Sequence, residues 1–278
     1  MAEKTRWKKY MDELYVKAFL SCVITGTSCG LAGAFILLLE IPFVGVAVSH
    51  AAMAGGVWGV VFGLPGKVSA FAASILMSAL LGPVSDKVKS SVNSILSVMF
   101  AFLMALALLG VGLFEGHRQM LYSVLWGNVF LSGWMDILFS VFVLVLELAF
   151  IIYYYSKLMF VLFNREMALA NGIKERRIYY LMLLLTGAVV SAGLNTAGGL
   201  MIFGMIILPA AAAKQACVSF KSFLILSAAA GFIGGALGSL LAFALNLPLG
   251  ATVVLFMAGI FTVSAVYKHF WRLRFNKI

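Results

Sequence analysis

The stretch IPFVGVAVSHAAMAGGVWGVVFG, residues 41–63, contains no charged residue and one histidine, His50. A helix needs about 20 apolar residues to cross the hydrocarbon core of a bilayer. The stretch has that length, so it reads as a membrane span with an imidazole about a third of the way along. An ionisable group inside a span is expensive, and by default it marks a functional position. The competing reading is structural: a histidine hydrogen-bonded to a neighbouring backbone carbonyl that fixes packing. Ala51, Ala52, Ala54, Gly55 and Gly56 leave room around the ring, as a conduit would need.

The rest of the chain supports a membrane setting. The 278 residues are 63% hydrophobic and 11% charged, with a mean hydropathy of +1.08. A soluble domain is roughly half apolar and about a quarter charged. The expected fold is therefore an all-α integral membrane protein. Uncharged runs place spans at 18–39, 41–63, 68–84, 92–114, 137–156, 178–196, 199–212, 222–246 and 250–267, nine in all within a range of eight to ten. The apolar segment 121–133 is too short to cross comfortably and reads as a re-entrant or interfacial helix. The domain organisation is a basic N-terminal segment (1–17), a polytopic domain (18–267) and a basic cytoplasmic tail (268–278). The first segment is too charged, for too long, to read as a simple signal peptide.

The net charge of +10 would suggest nucleic acid in a soluble protein. Here the basic residues cluster in short loops, which is the positive-inside pattern, and no nucleic-acid partner is expected. Nine spans with the N-terminus outside place the most basic internal loop, 157–177, in the cytoplasm. The outer side then holds Lys67, Arg118 and the five basic residues of the N-terminal segment, which either lies on the outer surface as an amphipathic helix or shifts the span count by one. The expected location is the inner (cytoplasmic) membrane, multi-pass. Cys22 and Cys29 lie seven apart on one helical face and read as small packing residues, and the three cysteines match no metal spacing. Gly26 and Gly30, the Gly55–Gly59–Gly63 series, and Gly231, Gly234, Gly235 and Gly238 are small-residue stripes suited to close helix crossings or a dimer contact.

Three polar residues stand out in later spans. Glu147 interrupts the 137–156 run, either as a transport-pathway carboxylate complementing His50 or as a hydrogen-bonded group in a helix interface. Asn195 lines a pathway or bonds between helices. Asp136 reads as a cap at the start of its span. In the loop, FNREMALANGIKERRIYY (163–180) has Asn164 as an N-cap, Glu166 in the first turn where a carboxylate suits the helix dipole, and Gly172 where a C-terminal glycine ends a helix. These features predict an amphipathic helix of about two turns facing the cytoplasm.

FNREMALANGI (163–173) resembles the coupling-helix segment of the permease subunits of ATP-binding-cassette (ABC) importers for zinc, manganese and iron. That family's pattern is roughly Phe-Asp-x-Glu-x-Ala followed by Gly-Ile. Phe163, Glu166, Ala168, Gly172 and Ile173 match, and Asn164 replaces Asp while keeping its capping chemistry. GLMIFGMIILPAAAAK (199–214), with Pro209, is similar to the family's Leu-Ile-Ile-Pro-Ala-Ala run. LWGNVFLSGWMDI (125–137) and VAVSHAAMAGG (46–56) resemble two further motifs, in the family's order. Asn195 aligns with a usual Gln.

The resemblance implies a type II ABC importer permease that works as a homodimer. Cytoplasmic ATP-binding subunits would dock on residues 163–173, and an extracytoplasmic binding protein would deliver a divalent transition metal. ATP would be used by the partner, and no cofactor is expected on this chain. Its nearest approach to a phosphate-binding loop, GLPGKVS (63–69), has the wrong glycine spacing. The chain departs from the family at Val46, where Asp is usual one turn before the histidine, and at Leu39 and Glu40, where a basic pair is usual. These departures leave room for a permease of a metal chelate or other small solute. A proton-coupled transporter using His50 and Glu147, or a non-transporting scaffold, is the reading from outside that class.

Overall fold

Backbone amides inside a bilayer have no water to bond, so an uncharged run must satisfy its own N–H and C=O groups as a helix. The computed structural model describes residues 2–87, 91–113, 132–197 and 199–275. Ten helices occur among them: α1 (Ala2–Leu38), α2 (Phe43–Val61), α3 (Gly66–Lys87), α4 (Val92–Leu113), α5 (Trp134–Phe163), α6 (Arg165–Ala170), α7 (Glu175–Ala197), α8 (Gly199–Ala216), α9 (Phe220–Leu245) and α10 (Leu249–Phe275). Eight are long and apolar enough to cross a membrane. The remaining expected span, 199–212, falls in α8, which has a shorter apolar stretch, Met201–Ala216. It packs among α1, α2, α9 and α10. Its Ile202, Met205, Ile206 and Ala210 are fully enclosed. A helix surrounded by protein need not match the bilayer thickness. The short segment expected at 121–133 lies outside the described residues, except for non-helical Ser132 and Gly133.

α1 is the hub. It packs on α5, α7 and α8, and most closely on α9. A Cβ added at Gly26 would meet the carbonyl oxygen of Gly231, and one at Gly231 would meet that of Gly26. Gly30 faces the Ser227 carbonyl and Gly235 faces that of Cys22 in the same way. The two backbones therefore touch along an antiparallel seam, the use expected of small-residue stripes. Cys22 and Cys29 are buried. Gly55 and Gly59 give the same access to Ser69 and Ala73 of α3. Gly63 has a different role from the one its spacing suggested. The helix ends at Val61, and Gly63 takes φ +73° in the following turn, with open space where a Cβ would point.

Polar contacts sort the helix ends into two sets. At one end Lys67 pairs with Asp136 at 2.7 Å, the Trp134 indole N–H donates to Glu13 at 3.2 Å, and Glu13 pairs with Lys17 at 2.7 Å. The Tyr15 ring packs edge-on against Phe243 there. The starts of α1 and α5, the end of α9 and the α2–α3 turn therefore share one face. At the opposite end Asn93 donates to the Glu40 carbonyl at 3.0 Å, and Phe163 packs on Phe220. The stretch 157–177, expected as a loop, is divided among the end of α5, α6 and the start of α7, because the apolar 134–163 run stays helical past Lys157. It belongs to this second end, the one that the positive-inside rule would place in the cytoplasm. The basic N-terminal segment continues a single α1 at the end opposite the 157–177 stretch, with no break at residue 17.

Two outcomes follow from this packing. Gly231→Val sets a branched side chain against an immovable carbonyl, and overpacking costs about 1–3 kcal/mol. It should lower the melting temperature of the detergent-purified protein, while Gly259→Ala, with nothing within 4 Å, should not; equal melting of the two would refute the seam. With Cys217 replaced by serine, a cysteine at Leu64 should label only from outside and one at Leu169 only from the cytoplasm. Labelling of both from one side would overturn the orientation.

Candidate transport site and coupling helix

His50 lies seven residues into α2, about 10 Å along its axis from the cytoplasmic end. The ring is buried at 5% exposure. Nδ1 is 2.9 Å from the Val46 carbonyl oxygen one turn back. A carbonyl only accepts, so Nδ1 carries the proton of this bond. In the neutral ring Nε2 then keeps its lone pair. Nε2 is buried and has no hydrogen-bond partner among the described residues. Ser49 also donates to the Val46 carbonyl, at 2.9 Å. Val46 therefore contributes its backbone, whose carbonyl orients the imidazole. Phe100 of α4 closes the site, its ring edge-on to His50 at 4.6 Å between centroids. The Trp58 indole holds α4 in place by donating to the Leu106 carbonyl at 3.0 Å.

Glu147 occupies a different interface. It is wholly buried in α5. Its Oε2 accepts from the Ser28 hydroxyl of α1 at 2.6 Å, and Oε1 has no partner among the described residues. α2 packs on α3, α4, α7 and α8, whereas α5 packs on α1, α6 and α7. His50 and Glu147 are thus not brought together within one chain, and no group of three His, Cys, Asp or Glu side chains forms a metal cage among the described residues. Asn195 lies on α7, but its side chain is outside the described residues. Pro209 is buried inside α8, where its missing N–H frees the Met205 carbonyl. Asp136 caps α5 by accepting from the Gly133 N–H at 2.8 Å.

The coupling segment forms a helix of six residues, α6, shorter than the two turns expected. The Asn164 side chain accepts from the Met167 N–H at 3.0 Å, an N-cap bond. At the other end the Ile173 N–H reaches the Ala168 carbonyl and the Gly172 N–H reaches that of Leu169, with Gly172 at φ +70°. That double bond is the Schellman closure, and its left-handed residue explains the glycine. Phe163, Asn164, Glu166 and Gly172 are exposed, as a docking element requires. Ala168 is fully buried and anchors the helix, while Ile173 is partly buried and packs against the core. Met167 and Leu169, more than half exposed, complete an apolar surface with Phe163. Sequence reading passed over them because apolar residues in a loop look like anchors until the helix phase is known.

Comparison with known proteins agrees with this geometry. The manganese transport system membrane protein MntC of Halalkalibacterium halodurans is 27% identical over 263 residues, covering 92% of this chain and 90% of that protein. The chelated iron transport system membrane protein YfeD of Yersinia pestis is 22% identical over 262 residues, covering 94% and 88%. The solved structure of PsaBC from Streptococcus pneumoniae in complex with Fab shares the fold, with a TM-score of 0.80 at 23% identity over 96% of this chain and 99% of that one. The profile of the ABC 3 transport family matches residues 11–268, and on that near-complete match the chain belongs to this family, as the multi-pass permease subunit of an ABC importer.

Proposed function

We propose that the cargo of this permease is a divalent transition-metal ion of the manganese, iron or zinc kind, and that His50 touches it in transit. The observation that carries this reading is the buried Nε2 of His50: its lone pair is unused, and its tautomer is fixed from behind by the Val46 carbonyl. A ring nitrogen presented by a backbone hydrogen bond on the other nitrogen is the usual form of a histidine ligand. One imidazole per chain makes a weak site, and a conduit needs weakness, because it must release what it binds. A second copy of the chain would supply a second imidazole and complete the pathway. An extracytoplasmic binding protein would load it from the outer end, and an ATP-binding subunit would dock on Phe163, Met167 and Leu169. The relatives named for manganese and chelated iron transport support this class of cargo. Glu147, joined to Ser28 across the α1–α5 interface, serves as a helix pin on this reading.

The test is radiometal uptake into vesicles holding the permease with its ATPase and binding protein, across manganese, iron and zinc. His50→Ala should lower uptake at least tenfold with normal ATPase co-purification. Val46→Asp adds a carboxylate one turn away and should tighten metal retention while slowing turnover. Normal uptake by His50→Ala would sink the ion-contact reading. It would favour the chelate permease instead, a reading to which the apolar Val46 side chain is suited.

The coupling helix makes a separate prediction. Gly172→Val forces a branched residue into a left-handed conformation, at a cost of about 1–3 kcal/mol. Uptake and ATPase co-purification should both fall, while Asn164→Asp, which keeps the cap, should stay near wild type. Unchanged coupling in Gly172→Val would remove α6 from the docking role.

A further inference from the structure

A cavity of about 610 Å³ opens beside the C-terminal cap of α6, between the cytoplasmic ends of α5 and α7. Lys157 of α5, Lys174 in the α6–α7 turn and Arg177 of α7 line its mouth. All three are exposed, and none makes an ion pair among the described residues. The nearest carboxylate in sequence, Glu175, is buried and engaged with Arg176. Lys157 stands 5.7 Å from the Tyr154 ring, at the end of a Tyr153–Tyr154–Tyr155 run of the kind that marks a membrane–water boundary. The deeper wall is apolar, formed by Ile178 and Leu181.

Leu181 also lines a second cavity of about 370 Å³, which lies further along the same two helices and is flanked by Phe71 and Ile75 of α3. Phe142, Leu146 and Phe150 of α5 face Leu184 and Ala188 of α7 across it. Phe150 lines the second cavity and Tyr154 the first, their rings 5.1 Å apart between the two, and Leu181 borders both. From Arg177 to Ala188 the groove runs about 16 Å along α7, close to the depth of one leaflet's hydrocarbon, about 15 Å. The result is a cationic mouth at the cytoplasmic boundary with an apolar trough of acyl-chain length behind it.

We propose that this groove binds an anionic phospholipid of the inner leaflet. The phosphate would sit among Lys157, Lys174 and Arg177, and one acyl chain would lie in the α5–α7 trough. Basic pockets between transmembrane helices on the cytoplasmic side suit such headgroups, and each cation near the surface strengthens attraction to anionic lipid about fivefold. Asn171, Gly172 and Ile173, which close α6, form part of the mouth. A bound lipid would therefore brace the coupling helix from its membrane side, opposite the exposed Phe163, Met167 and Leu169.

The test uses the purified transporter with its ATPase, exposed to vesicles of phosphatidylglycerol or of phosphatidylcholine, with retained lipid counted by native mass spectrometry. Wild type should retain phosphatidylglycerol preferentially. The triple variant Lys157→Gln, Lys174→Gln, Arg177→Gln changes only exposed side chains and should weaken that retention on the order of a hundredfold. Ala188→Phe fills the trough without touching the charges and should also expel the lipid. Millimolar inorganic phosphate should not displace it. Equal retention of the two lipids, unchanged retention in the triple variant, or displacement by phosphate alone would overturn the proposal. So would a triple variant that keeps its lipid but loses its ATPase, which would make the mouth a protein-docking surface.

Discussion

The backbone contact between α1 and α9 is the constraint on which the rest of the arrangement depends. Lipid tails are as apolar as leucine, so membrane helices gain little from hydrophobicity when they associate and rely on close packing. Glycines at 26, 30, 231 and 235 let carbonyls of one helix rest where side chains would otherwise stand. With α9 held that close, α1 still has faces for α5, α7 and α8. Gly33 lets the Ile206 backbone of α8 approach α1, and Gly45 of α2 packs against the Ile206 side chain. The position of the histidine helix is thus passed from α1 through α8 to α2.

Two buried polar groups within this frame show opposite solutions to one problem. A polar atom without a partner is expensive in a low-dielectric interior. Glu147 is tied to Ser28 on the hub helix, and its bond joins two elements that already pack. His50 spends its donor on its own helix and keeps an unpartnered lone pair, with Phe100 of α4 packed against the ring. α4 is also among the helices with the least buried surface. The unsatisfied acceptor therefore lies under a cover that α2 holds through Trp58 and that is otherwise largely exposed. Glu147, by contrast, is enclosed between α1 and α5.

Much of this was legible in the sequence, for reasons that differ by element. Uncharged runs fix spans because a bilayer tolerates little else, and the helices fall close to the expected positions. Asn164 and Gly172 were readable because capping is local chemistry, set by a few neighbouring residues. The role of Gly63 was not, since its spacing matches a packing stripe and only the end of α2 at Val61 shows that it serves a turn. The burial of Ala168 and the exposure of Met167 and Leu169 depend on how α6 is rotated against the bundle, which periodicity cannot give for six residues. The partner of Glu147 lies 119 residues away in the chain and was not visible from its own segment. The α5–α7 groove likewise joins residues that no single stretch contains.

The central claim is that the free nitrogen of His50 meets the transported ion. Pulsed electron paramagnetic resonance of manganese held in the purified, nucleotide-free transporter reads that contact directly, through hyperfine coupling between the metal electrons and a directly bound nitrogen. The account predicts a nitrogen coupling in the wild type that disappears in His50→Ala while the protein remains folded. A manganese signal with no nitrogen coupling, or a coupling that survives the substitution, would contradict it.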